Sequence, residues 1–114
     1  MATLYTRTFN LRDSLSDSDV IEYWRFVTEE VAPLVRGLEG TQSYKIYSAA
    51  GALRADILAL WEMDDASVYE RALVDPALRK LLGRFYGAID LKTAGQSFRR
   101  EVTSELIRAL SSTG

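Results

Sequence analysis

Residues 19–47 read DVIEYWRFVTEEVAPLVRGLEGTQSYKIY, and this stretch decides the fold. Val20, Trp24, Val27, Val31, Leu34 or Val35, and Leu38 recur at steps of three and four, which puts an apolar stripe on one face of a helix. Each such side chain contributes about 1.5–3 kcal/mol when fully buried, before entropy is counted. Glu22, Arg25, Glu29, Glu30 and Arg36 fall largely off the stripe and form the solvated face. Asp17, Ser18 or Asp19 supplies the cap, with acids at the positive end of the helix dipole. Pro33 cannot donate to the preceding turn, so it predicts a kink or a break with a short last turn. Gly37 and Gly40 are candidate stops, and Gly40 is the better one because β-prone residues follow it. Thr41 to Ser48 is the strand they lead into.

Working outward, Leu4 to Leu11 is rich in β-formers and reads as strand 1, and Arg12 to Ser18 as a polar turn. Ala49 to Ala55 is a hairpin loop in which Gly51 supplies any positive φ. Asp56 to Met63 is the most apolar strand, which predicts a central place buried on both faces. Asp64 and Asp65 end it and cap helix 2. That helix comes in two pieces. Val68, Tyr69, Ala72 and Leu73 form the first, and Asp75-Pro76 restarts the helix as N-cap and first residue. Leu78, Leu81, Leu82, Phe85, Tyr86 and Ile89 continue the stripe, and Gly87 is read as a site of close packing. Asp90 to Gly95 is expected as a loop, Gln96 to Thr103 as strand 4, and Ser104 to Leu110 as a short last helix before a frayed tail.

The order β-α-β-β-α-β is the α+β, ferredoxin-like arrangement. Right-handed crossovers place both helices on one face of a four-stranded antiparallel sheet with strand order 4-1-3-2. Residues 1–114 fit one domain. The other sheet face is left bare. Strands 1, 2 and 4 carry apolar and aromatic residues on either parity, among them Tyr5, Phe9, Tyr44, Tyr47 and Phe98, so that face needs a cover.

Composition narrows the chemistry. Acids and bases are interleaved and the net charge is −2, which argues against a nucleic-acid footprint and against a polybasic membrane anchor. No apolar run approaches membrane-spanning length and the N-terminus lacks the order of a signal peptide, so the expected location is the cytoplasm. The sequence has no cysteine and no histidine. That removes thiolate chemistry, the usual zinc sites, histidine-based triads and a proximal haem ligand. No metal and no cofactor is expected. Any catalysis must rest on carboxylates, Tyr, Lys, Arg, hydroxyls or the substrate itself.

The candidate ligand-binding residues are Arg7, Asn10, Trp24, Tyr44, Trp61, Tyr86 and Arg100. Trp24 and Trp61 line a pocket and stack on a planar ligand, or simply fill the core. Tyr44 and Tyr86, with Tyr47, offer phenolic donors to a ligand, or give them to the backbone. Asn10 is the one Asn of the sequence and ends strand 1, where a turn role is the simpler reading. Charges inside strands are less usual. Arg7 is read either as a structural pair with Glu62 across neighbouring strands or, with Arg100, as a bidentate site for a carboxylate or phenolate. Glu62, Asp64 and Asp65 form an acidic group for which capping is the simpler account.

YWRFVTEEVAPLVRGLEGTQSYKIY, with its Trp-bearing helix, late proline, glycine turn and Tyr-rich strand, resembles the dimeric α/β-barrel superfamily. WEMDDASVYERALVDPALRKLLGRFYGAI resembles that superfamily's third strand and Asp-Pro-interrupted second helix. The resemblance covers Leu4 to Val102 and implies a homodimer, two sheets face to face as an eight-stranded barrel, and a pocket in each protomer between sheet and helices. It implies kinship with antibiotic-biosynthesis-type and haem-degrading monooxygenases, polyketide cyclases and small stress-response proteins. Monooxygenase-type members use an Asn, a Trp and a His. Asn10, Trp24 and Trp61 match in type, but the missing His counts against that chemistry. The expectation is a homodimeric barrel protein that binds a small apolar or aromatic molecule. A cofactor-independent monooxygenase or a polyketide-cyclase-type enzyme is one alternative, and a dimeric interaction module without ligand is the other.

Overall fold

The computed structural model describes residues 2–49 and 52–112, so Gly51 and its expected turn lie outside the described residues. The elements are β1 (Thr3–Leu11), α1 (Asp17–Phe26), a π-helical segment (Val27–Val31), α2 (Ala32–Arg36), β2 (Thr41–Tyr47), β3 (Ile57–Met63), α3 (Ser67–Val74), α4 (Pro76–Gly87), β4 (Ile89–Arg100) and α5 (Ser104–Ser112). All strand pairs are antiparallel and the sheet order is β2-β3-β1-β4, the ferredoxin-like topology.

Local chemistry accounts for the boundaries. Ser16 caps α1: its side chain accepts from the Asp19 N–H, while the Asp19 carboxylate accepts from the Ser16 N–H. The cap thus falls just before the three residues expected to supply it. Pro33 acts as predicted, but the break lies upstream of it. Pro33 leaves the Glu29 carbonyl without its helical donor, and the preceding turn widens so that Ala32 N–H reaches back to the Val27 carbonyl. The wider turn shifts the buried face by one residue, so Val31, Ala32 and Val35 are buried while Leu34 is only half-buried. Gly40 has φ +89°, and a Cβ there would meet Val68 Cγ2 at 2.6 Å, so the turn into β2 needs glycine. Asp75 accepts from Leu78 N–H with Pro76 in the first turn, as expected for the α4 start. Asp64 instead accepts from Gln42, and Asp65 from Ser67 N–H, forming a turn beside α3 rather than capping it from the N-cap position, which is Ala66.

The core lies between the sheet and the helices. Tyr5, Phe9 and Leu11 of β1, and Ile57, Ala59, Trp61 and Met63 of β3, point toward Val20, Tyr23, Phe26, Val27 and Val35. Tyr23 and Phe26 widen the α1 stripe beyond the predicted set, and the Tyr23 hydroxyl donates to the Phe85 carbonyl.

Four expectations are corrected. β3 is central but alternates: Leu58 and Leu60 are half-buried and Glu62 is exposed, because the helices cover one face only. Of the five aromatics weighed for the bare face, only Tyr47 lies on it; Tyr5, Phe9, Tyr44 and Phe98 share the helix-facing parity with Trp61. β4 starts at Ile89, not Gln96. Its DLKTAGQ segment is polar and almost wholly exposed, so no hydrophobic alternation marks it, and its register against β1 breaks between Thr8 and Asn10. Gly87 has nothing within 4 Å of a notional Cβ and does not serve close packing.

Candidate functional site

Strand parity builds the site. Odd residues of β1 face the helices, so Arg7 projects to the same side as Tyr5 and Phe9. β1 pairs with β3 so that Tyr5 is opposite Trp61, and β2 places Tyr44 opposite Trp61 from the other side. Tyr5, Arg7, Tyr44 and Trp61, with Tyr69, Leu78, Leu82 and Tyr86 from α3 and α4, line a cavity of about 70 Å³ between sheet and helices. Tyr5 stacks on Tyr69 at 4.8 Å between centroids, and Trp61 meets Tyr5 and Tyr44 edge-on at 6.1 and 6.3 Å. Such pairs hold the walls in place and add about 0.5–1.5 kcal/mol each beyond burial.

One wall is polar. Arg7 Nε donates to the Tyr5 hydroxyl at 3.0 Å and Arg7 Nη2 to Gln96 Oε1 at 2.9 Å. The Tyr5 hydroxyl donates to the same Gln96 oxygen at 2.7 Å. The guanidinium lies 4.8 Å from the centre of the Tyr86 ring. Burial pushes the Tyr5 phenol up to about 12, against the lowering effect of Arg7, and burial likewise raises Tyr44 to about 12. Both are therefore neutral donors at pH 7. Arg7 stays charged: burial works against its charge, but the neighbouring Tyr5 and Tyr86 oxygens outweigh it.

Of the seven candidate residues, Arg7, Tyr44, Trp61 and Tyr86 line this one cavity. Asn10, Trp24 and Arg100 do not. Asn10 Oδ1 accepts from the backbone N–H of Asp56, whose φ is +53°, and so holds the entry to β3. Trp24 donates its indole N–H to the Leu53 carbonyl and borders a separate crevice with Val27, Thr28, Ala32, Arg36 and Ile46. Arg100 lies at the far end of β4, opposite Thr3. The Arg7–Glu62 pair is also absent: Arg7 faces Ala59 in register, while Glu62 faces Leu4 on the opposite side of the sheet. Sequence reasoning missed Tyr5, Tyr69 and Gln96. The alternation Tyr5, Arg7, Phe9, Leu11 carried the signal for Tyr5, whereas nothing local marks Gln96.

Among the described residues no three or more Asp or Glu side chains converge to hold a metal ion. The donors available at the cavity are a guanidinium and phenols, which suit an anionic or carbonyl oxygen.

No family model matches the sequence, and no curated protein matches it. Solved structures do match. SnoaB, a cofactor-independent oxygenase from Streptomyces nogalater, is similar over 90% of this chain and 95% of that one, with TM-score 0.71 and 9% identity. A dimeric protein of unknown function from Bacteroides fragilis, also described as ferredoxin-like, matches over 88% and 96%, with TM-score 0.70 and 12% identity. The fold is shared. A NIPSNAP family protein from Agrobacterium tumefaciens matches over 91% and 96%, with TM-score 0.66 and 14% identity. This ferredoxin-like chain therefore has the fold of monooxygenase-like and uncharacterised proteins alike, and at these identities the likeness concerns fold alone. No described helix is long and apolar enough to cross a membrane.

Proposed function

We propose that this protein is a homodimeric α/β barrel that binds a small flat molecule between its sheet and helices. The observation that carries the reading is the aromatic-walled cavity with Arg7 and the Tyr5 hydroxyl on one wall. Apolar walls with a few converging polar groups are the usual make-up of a ligand site. At about 70 Å³ the cavity is smaller than the roughly 300–1,000 Å³ of drug-sized pockets, so a single ring is the natural occupant. Dimerisation covers the helix-free face, where Leu4, Tyr47, Leu58 and Leu60 lie among Thr6, Lys45, Glu62 and Arg99. The dimeric Bacteroides fragilis neighbour supports that arrangement.

Titration with neutral single-ring probes, benzyl alcohol and indole, tests the binding reading. Shifts should cluster on the Trp61 indole N–H and the Ala72 methyl. Ala72→Met, which fills the cavity, should abolish them. Shifts scattered over the surface, or unchanged in Ala72→Met, would remove the pocket as a ligand site.

A second reading, a cofactor-independent oxygenase, is favoured by the convergence of Arg7 and the Tyr5 hydroxyl, which would stabilise an enolate-like or phenolate oxygen, and by the description of SnoaB. Oxygen uptake with a hydroquinone probe above the autoxidation rate, lost in Arg7→Met, would establish it over simple binding.

A further inference from the structure

Arg7 and Tyr86 line two cavities at once. One is the inner aromatic cavity, and the other is an outer recess of about 320 Å³ walled by Leu91, Ala94, Gly95 and Gln96. The recess exists because β4 loses register with β1. Thr8 pairs with Gly95 but Asn10 pairs with Asp90, so residues 91–94 have no partner position on β1. Asp90 stabilises the irregularity by accepting from Lys92 N–H and, through its carbonyl, from the Thr93 hydroxyl. The Arg7 guanidinium stands at the junction of the two spaces.

Among the described residues the charge of Arg7 has no anionic partner. The ion pairs among the described residues join Arg25 to Glu22, Arg54 to Asp17 and Arg84 to Glu30. Arg7 instead contacts the Tyr5 hydroxyl, the Gln96 amide oxygen and Tyr86, all neutral. A half-buried guanidinium is ordinarily matched by a carboxylate or phosphate, because desolvating it is costly. Here neutral contacts to Tyr5, Gln96 and Tyr86 position the guanidinium at the edge of both spaces without neutralising it.

We propose that the inner cavity and the outer recess form one binding site for a flat acid, with its apolar body among Trp61, Tyr44 and Tyr69 and its carboxylate or acidic hydroxyl on Arg7 at the junction. The inference rests on the ligand-binding reading and adds the charge of the ligand.

Matched probes test it: benzoate against benzamide, and 2-naphthoate against 2-naphthamide, each pair alike in shape and different in charge. Calorimetric titration of the unaltered protein should give at least one carboxylate bound about tenfold or more tightly than its amide. Raising the salt concentration should narrow the gap. Arg7→Met, which keeps an apolar stem over Tyr86, should weaken the carboxylate far more than the amide, so that the gap within each pair closes. Equal binding of carboxylate and amide, with Trp61 N–H shifts present, overturns the acid while the pocket stands. Absence of binding by all four probes at millimolar concentration overturns both. The comparison within the unaltered protein requires no variant to fold.

Discussion

At the scale of single residues, burial and the nature of the partner decide what each side chain does. Arg7 looked like half of an ion pair across two strands, and register made that impossible, because Glu62 faces the other side of the sheet. Asn10 and Trp24 spend their polar atoms on the backbone at Asp56 and Leu53. The phenols make a prediction about pH. Tyr5 and Tyr44 have folded-state values near 12, above the 10.0 of an exposed phenol. A raised value means that the folded state resists ionisation, so the stability they contribute is complete below pH 10 and is lost as the pH rises through about 12. Tyrosinate absorbance should therefore show Tyr5 and Tyr44 ionising well above the 10.0 of an exposed phenol, with urea stability falling between 10.0 and about 12. Ionisation of both at the value of an exposed phenol, on still-folded protein, would contradict their burial.

At the scale of elements, start and stop signals were legible where a cap or a backbone constraint is local. The Asp75-Pro76 restart and the Gly40 stop are of this kind, since one rests on a side-chain cap and the other on a positive φ. Asp75→Ala should cost about 1 kcal/mol in urea denaturation by leaving the Leu78 N–H without its acceptor. Asp75→Asn should recover most of it, and a cost below a few tenths for the alanine would mean that water replaces the cap. The start of β4 was not legible. Its residues 90–96 lack the period of a strand, and of these Asp90, Gly95 and Gln96 pair with β1, across eighty or more positions of sequence. The widened turn at Val27–Val31 was half legible: Pro33 announced a disturbance, but packing chose a π turn upstream over a kink at the proline.

At the scale of the whole molecule, one sheet carries helices on one face and a mixed surface on the other. The half-buried Leu4, Leu58 and Leu60 and the exposed Tyr47 are the apolar part of that surface. The Thr6 and Ser97 hydroxyls bond each other across it at 2.6 Å. Further apolar surface continues beyond β4, where Val102 and Ile107 are exposed near α5. On the proposed dimer, Leu60→Arg places a charge in the middle of the interface, between Thr6 and Lys45. Sedimentation at micromolar concentration should show a dimer for the unaltered protein and a monomer of unchanged far-ultraviolet circular dichroism for the variant. A monomeric unaltered protein would remove the barrel and leave the open face to another cover.

Taken alone, the sequence determined the element order, the strand order, the broken second helix and the kinds of chemistry open to a chain without His or Cys. These follow from periodicity, backbone constraints and composition, which are local or global properties of the string. Only tertiary structure decided which face each strand residue takes, and hence which candidates meet. It brought Arg7, Tyr44, Trp61 and Tyr86 to one cavity, added Tyr5 and Gln96, and sent Asn10, Trp24 and Arg100 elsewhere. The physical reason is register: a one-residue slip in pairing turns every side chain of a strand to the other face, and pairing between distant strands leaves no mark in either strand's own residues.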